Sequence, residues 1–150
     1  MEKTKSVNFR KMTECDRDAY FEMSRDFYGC GAAHEPISEE SRRSFWKEIL
    51  SGKLISGYII EYGADTAGYA LVAYYASQEY GGKIALFDEL YISPQYRGLG
   101  IGKKAFEFVE AGDVVACRLE AEPKNERAIK LYKSIGYKEF DYVQMSKKIK

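Results

Sequence analysis

The chain carries a single histidine, His34, and three cysteines, Cys15, Cys30 and Cys117, in 150 residues. One histidine excludes a multi-histidine metal centre, and no two cysteines have the C-x-x-C spacing of a thiolate zinc site or belong to an even disulfide framework. The thiols are therefore expected reduced and mostly packed, no metal is expected, and His34 reads as a loop residue. Charge of one sign is missing as well: 23 Lys and Arg balance 23 Asp and Glu. That balance argues against a protein whose affinity comes from neutralising nucleic-acid phosphates. The longest largely apolar run, Gly68 to Ala76, is far short of the ~20 residues of a spanning helix. The polar start MEKTKSVNFR lacks the apolar core of a signal peptide, so the expectation is a soluble cytoplasmic protein without membrane partners. Glycine and proline number only 13 and 3, too few for a fibrous or low-complexity chain.

What remains is one domain's worth of ordinary globular sequence, long enough to bury roughly 70% of its unfolded surface. The pattern mixes helix and strand without internal repeat. Val7 to Met12 suits a first strand. Thr13 can cap a helix reaching about Tyr28 and stopped by Gly29 and Gly31, and Ser38 opens a second helix to Ser51-Gly52, with Phe45, Trp46, Ile49 and Leu50 at helical spacing. Residues 54–62, 67–77 and 83–92 are rich in Tyr, Ile, Val and Phe and separated by Gly63–Asp65 and Gly81-Gly82, which predicts an antiparallel meander. Helix returns over Gly100–Glu110, strand over Val114–Glu122, and a helix follows that Asn125 caps, Gly136 ends, and Ala128, Leu131, Tyr132 and Ile135 make amphipathic. Tyr137–Met145 suits one or two further strands.

The chemistry concentrates in DELYISPQYRGLGIG, residues 88–102, a strand followed by a glycine turn that opens a helix. Free backbone N–H groups and the helix dipole favour an anion there, and glycines admit a phosphate close to the main chain. A Walker A loop would need Gly at position 97 and Ser or Thr at 104, where Arg97 and Lys104 stand, and Gly98, Gly100 and Gly102 give G-x-G-x-G in place of the dinucleotide G-x-G-x-x-G.

The run QYRGLGIG resembles the acyl-CoA signature Q/R-x-x-G-x-G/A of the GNAT superfamily of N-acyltransferases, through Gln95, Gly98 and Gly100. The strand ELYISP before it and NERAIKLYKSIGY after it, with Asn125, Ala128, Leu131, Tyr132, Gly136 and Tyr137, extend the likeness over residues 84–140. The resemblance implies an α/β (α+β) fold: a mixed, twisted sheet of six to seven strands, splayed between the fourth and fifth, flanked by about four helices. It implies acetyl-CoA as acyl donor, with Leu90, Tyr91 and Ile92 along the pantetheine and Arg97, Gly98, Leu99, Gly100, Ile101 and Gly102 at the pyrophosphate. Gln95 belongs to the same loop, Lys103 or Lys104 would add charge, and Asn125 would combine capping with a cofactor contact.

Direct acetyl transfer to an amine needs a proton acceptor, because an amine of pKa near 10.4 is protonated at neutral pH, and a proton for the departing thiolate. Glu89 is the first candidate base, with Asp88 and Glu122 as alternatives. By the resemblance, Tyr132 is the acid for the coenzyme sulfur. Residues 13–40 hold eight acids (Glu14, Asp16, Asp18, Glu22, Asp26, Glu35, Glu39, Glu40) against Arg17 and Arg25, which points to a cationic small-molecule amine as acceptor. Acetylation of a protein N-terminus or lysine, and acyl-CoA binding without catalysis, stay open as alternatives, as does a homodimer through Phe140 and Tyr142.

Overall fold

In the computed structural model residues 5–30 and 36–150 are described, and they form two compact units, Met1–Glu120 and Ala121–Lys150. His34, Gly31 and Glu35 lie outside the described residues. The first unit runs β1 (Val7–Lys11), a 3-10 turn (Glu14–Asp16), α1 (Arg17–Gly29), α2 (Glu39–Ser51), β2 (Ile55–Tyr62), β3 (Asp65–Ser77), β4 (Gly82–Ile92), a second 3-10 turn (Pro94–Tyr96), α3 (Ile101–Glu110) and β5 (Ala116–Leu119). The second unit holds α4 (Glu126–Ser134).

The five strands lie in sequence order, β1 to β4 antiparallel and β5 parallel to β4. An antiparallel meander needs only tight turns, whereas a parallel neighbour needs a crossover, which α3 supplies. Both faces of the sheet are covered. Tyr20, Phe21 and Met23 of α1 and Trp46 and Ile49 of α2 pack with Ile59, Tyr69, Leu71 and Tyr91 on one face. Ile101 and Ala105 of α3 pack with Ile60, Ala67 and Ala70 on the other. Consecutive Ile59 and Ile60, both fully buried, thus serve opposite cores, which is why β2 and β3 read as continuous apolar runs instead of alternating ones.

Local chemistry sets the helix ends. The Ser38 hydroxyl accepts the Ser41 N–H at 3.0 Å, and Gly52 closes α2 in the left-handed region at φ 62°. Thr13 precedes a 3-10 turn in place of the first turn of α1, and Asp16 holds that turn from its far end. Its carboxylate accepts the Thr13 N–H at 2.8 Å and a bidentate pair of bonds from Arg10 of β1, each 2.8 Å. The Arg10 hydrogen bonds keep the Asp16 carboxyl at a pKa of about 2, below the ordinary carboxylate range. A depressed folded-state pKa gives stability that is present above the unfolded value near 3.9 and lost as pH falls towards 2. Asp16→Asn is therefore expected to lower the melting temperature by about 2–4 °C at pH 7, a solvent-discounted loss of about 1 kcal/mol. The gap between variant and wild type closes as unfolding is followed down to about pH 2.

Several expectations need correction. The sheet has five strands among the described residues, not six or seven, because Tyr137–Met145 has no regular secondary structure. Phe140 and Tyr142 are exposed. The last strand is four residues long, not nine, since the ladder with β4 runs from Ala116 to Leu119. Cys15 and Cys30 are exposed, so of the three cysteines only Cys117 is even partly packed. On α4 it is Ile129, not Leu131, that joins Ala128, Tyr132 and Ile135 on the half-buried side. Among the described residues, no helix is long and apolar enough to cross a membrane.

Candidate active site

The site grows from an irregularity in β4. Leu71 pairs with Glu89 but Val72 pairs with Phe87, leaving Asp88 as an extra residue in the ladder. Such a bulge shifts the in-out alternation by one residue. Phe87 accordingly packs on Phe106 of α3, ring centroids 4.3 Å apart, and Leu90, an odd three residues on, joins the same α3 face. Glu89 and Tyr91 are thereby turned to the α1–α2 face. Without the bulge a glutamate in this strand could not share a face with Tyr91 while Phe87 and Leu90 share the other.

Glu89 is 6% exposed. It accepts a hydrogen bond from the Tyr69 hydroxyl of β3 at 3.4 Å, and the Tyr28 phenol of α1 stands near it. Burial raises its pKa to about 7, with the Asp88 charge adding to the rise and the two phenols and Arg42 opposing it. Arg42 is itself buried, its Nε donating to Ser24 Oγ at 3.0 Å and its Nη1 to Glu39. Tyr28 and Tyr69 respond in the opposite sense: burial first, then the Glu89 charge, pushes both phenols well up, so they remain donors at any working pH. Asp88 is exposed at the surface, and its carboxyl also rises, through surrounding protein and the Glu120 charge.

Beside this carboxyl the sheet opens. β4 and β5 pair only from Ile84↔Ala116 to Phe87↔Leu119, so Asp88–Ile92 continue without β5. The Ser93 N–H bonds to Ala67 O on β3 at 2.8 Å, and a Cβ on Gly68 would lie 2.0 Å from Tyr91 O. Tyr91 and Ser93 therefore direct their main chain to β3, and by alternation Leu90 and Ile92 direct theirs to the open side. That is the side on which the resemblance puts pantetheine. The Ile92 carbonyl there accepts Arg97 Nε at 2.8 Å, so the Arg97 side chain folds back on the strand and lies 5.9 Å over the Tyr91 ring.

The glycine turn follows directly. Gln95 sits in the exposed 3-10 turn, Leu99 is 49% exposed, and Gly98 and Gly100 adopt φ 78° and 75°. Only glycine takes this left-handed conformation without strain. A Cβ at either would meet nothing within 4 Å, so the demand is conformational on the protein's side and leaves the backbone open to a guest. Gly100 caps α3 without a side-chain hydrogen bond, and the first-turn amides of Ile101, Gly102 and Lys103 have no carbonyl of their own helix to bond. Lys103 Nζ lies 3.8 Å from Glu107 on an exposed face. These residues fit a pyrophosphate, because the donors are main-chain amides at a helix start that, among the described residues, have no carboxylate hydrogen-bonded to them.

In the second unit, Asn125 caps α4 by accepting the Ala128 N–H at 3.2 Å. Tyr132 is half-buried, its ring 6.3 Å from that of Tyr137, and burial raises its phenol pKa. The structure thus unites Glu89, Asp88, Leu90, Tyr91, Ile92, Gln95, Arg97 and the glycine turn in one unit, while Asn125 and Tyr132 share a helix in the other. Tyr28, Tyr69, Arg42 and Asp26 belong to the surroundings of Glu89 and Tyr91 and carry no sequence signal: Arg42 reaches Ser24 across 18 positions, Tyr69 reaches Glu89 across 20 and Asp26 meets Tyr91 across 65.

An acetyltransferase (GNAT) domain family matches residues 54–139, more than half of the chain. This chain belongs to the GNAT acetyltransferase family. A thialysine N-epsilon-acetyltransferase of Bos taurus is 33% identical over 110 residues, which span 67% of this chain and 64% of the relative, so the chain matches less than two thirds of that protein. A possible acetyltransferase from Clostridium difficile 630 superposes with TM-score 0.80 at 17% identity, covering 95% of this chain and 97% of the other. AAC(6')-Iy in complex with the bisubstrate analog CoA-S-monomethyl-acetylneamine superposes with TM-score 0.77 at 14% identity, covering 96% and 99%. At those identities the two structures speak for the GNAT fold. That fold, mixed α/β with a sheet opening beside its fourth strand, is the one expected from the glycine signature.

Proposed function

We propose that this GNAT chain transfers the acetyl group of acetyl-CoA directly to a primary amine of a small cationic acceptor. The observation that carries the reading is the parting of β4 from β5 beyond Phe87, immediately ahead of the Gly98–Gly100 turn. A strand side free to bond a pantetheine amide and a helix start free to bond a pyrophosphate occur in series on one stretch of chain. Support for the acceptor comes from charge and from relatives. Of the eight acids in residues 13–40, Asp16 and Glu39 are engaged by arginines, but Asp18, Glu22 and Asp26 stay exposed along α1. The bovine relative is named for an N-epsilon amine, and the bisubstrate analog joins CoA to acetylneamine.

Glu89, with a pKa of about 7, takes a proton from the acceptor ammonium, directly or through a water. The freed nitrogen lone pair attacks the thioester carbonyl carbon, forming the C–N bond. The Leu90 N–H is the candidate donor to the oxyanion. As the C–S bond breaks, Tyr132 gives its proton to the thiolate and recovers one from the nitrogen through solvent. No covalent enzyme intermediate forms. Amine-dependent release of CoA thiol from acetyl-CoA, followed over a panel of polyamines, aminoglycosides, lysine analogues and neutral amines, tests the reading. Turnover is expected only with the cationic members, and Tyr132→Phe is expected to cut turnover 10- to 100-fold without weakening acetyl-CoA binding. Acetylation confined to neutral or anionic acceptors, or binding without turnover across the panel, overturns it.

A further inference from the structure

The ladder between β4 and β5 ends at Phe87↔Leu119, and beyond it Leu90 and Ile92 turn their main-chain groups away from β3. The Ile92 carbonyl on that side is nevertheless occupied. The Arg97 side chain folds back from the glycine turn and donates its Nε–H to it at 2.8 Å. We propose that Arg97 sets donor specificity: its guanidinium covers the Ile92 carbonyl in the free chain and leaves it only for a donor whose pyrophosphate draws the charge to the turn. The chain thereby selects acyl-CoA against acyl-pantetheine thioesters that carry no pyrophosphate. The role rests on pantetheine lying along Leu90 and Ile92 and on pyrophosphate lying at the Gly98–Gly100 turn.

Arg97 is placed to serve both positions. It stands directly before Gly98, and the 3-10 turn Pro94–Tyr96 brings it back towards the strand, with the Arg97 N–H on Pro94 O at 3.2 Å. The guanidinium has a built seat there. Its Cζ lies 5.9 Å over the Tyr91 ring, which is fixed by stacking on Tyr69 at 5.7 Å and by the bond of its hydroxyl to Asp26. Arg97 is exposed, and at such a position a ring face and one neutral carbonyl hold a guanidinium less strongly than a phosphate does, with its opposite charge and its two parallel N–H···O bonds. A donor without pyrophosphate meets the reverse balance. Its amide competes for the Ile92 carbonyl with a charged group already in place, and it offers that group no anion elsewhere. The same contact protects the strand: main-chain groups beyond the end of a ladder are a template for a foreign strand, and a charged side chain lying on them blocks that pairing.

The test follows the backbone amides and the Arg97 Nε–H, assigned through its own backbone amide, by NMR of nitrogen-labelled protein titrated with acetyl-CoA and with S-acetylpantetheine. Acetyl-CoA is expected to move the amides of Leu90, Ile92 and Gly98 and to shift the Arg97 Nε–H as it changes partner. Arg97→Met keeps the length of the side chain and removes donor and charge. It is expected to bind acetyl-CoA about 10-fold more weakly, having lost a charge near the phosphates. It is expected to bind S-acetylpantetheine about 5-fold more tightly, because the Ile92 carbonyl then stands free. Opposite signs mark the exchange, since an Arg97 that only braced the turn would weaken both ligands together. Weakening of both, or an unchanged affinity for S-acetylpantetheine, overturns it. Should the variant lose its fold, the wild-type signal decides: an Nε–H unmoved at saturating acetyl-CoA, while the Leu90 and Ile92 amides move, sinks the exchange and leaves the donor in place. Leu90 and Ile92 amides that acetyl-CoA does not move remove the donor from this edge, and the exchange falls with that reading.

Discussion

Replacing Gly100 with glutamate will abolish acetyl-CoA binding while leaving the chain folded. Gly100 stands at φ 75° as the cap of α3, a conformation costing an L side chain about 1–2 kcal/mol. That is a loss a domain of this size survives at the cost of a few degrees of melting temperature. In the free chain the new side chain meets no atom within 4 Å of its Cβ, so no steric collapse accompanies the strain. Binding is another matter. The carboxylate would occupy the helix start proposed for the pyrophosphate, exchanging the dipole's attraction for repulsion between like charges. Two such charges about 4 Å apart near a surface repel by about 4 kcal/mol, which corresponds to a loss of affinity of roughly 10³-fold. Calorimetric titration with acetyl-CoA reads it directly, alongside thermal unfolding of the same sample. Retained affinity in a folded variant would move the phosphates away from this turn and with them the whole placement of the donor.

The order of elements was legible because each rests on local rules. The Ser38 and Asn125 caps and the left-handed Gly52, Gly98, Gly100 and Gly136 stand where the residues themselves demand them. The meander followed from turn glycines between apolar runs. What the sequence concealed is the product of pairing at a distance. Strand periodicity does not show that one extra residue at Asp88 turns Glu89 towards α1, because the bulge exists only relative to Val72 and Leu71 on the neighbouring strand. The acidic run of residues 13–40 looked like an uncompensated surface, yet Arg10 and Arg42, from outside any local window on Asp16 or α1, take up Asp16 and buttress Ser24. The tail misled for the opposite reason. Phe140, Tyr142 and Val143 have strand-forming side chains, but composition alone does not set the backbone pairing that defines a strand.

Glu89→Gln is expected to cost the proposed acetyl transfer and give back stability, and the two effects have one origin. Burial holds the carboxyl at a pKa of about 7, so near neutrality it is poised both to accept a proton and to be held as the acid. Glutamine keeps the shape and an acceptor for the Tyr69 hydroxyl but takes no proton. Turnover with a cationic amine at pH 7.5 is expected to fall by about 10²–10⁴-fold, the usual contribution of a positioned base. The acid limb near pH 7 should vanish, leaving the residual rate to follow the ionisation of the amine itself. Stability runs the other way. A carboxyl whose folded pKa lies above its unfolded value near 4.3 is bound to a proton more often when folded, so folding stability declines as pH rises from about 4.3 through 7. Above pH 7 the wild type carries a buried carboxylate, and glutamine relieves it by on the order of 2 kcal/mol. The melting temperature of Glu89→Gln should therefore exceed the wild type's by about 4–8 °C at pH 8 and converge on it near pH 4. An activity loss without this pH-dependent stabilisation would mean a misplaced strand; stabilisation without activity loss would leave Glu89 a buried structural acid and turn the search for the base to Asp88, the exposed carboxyl of the bulge.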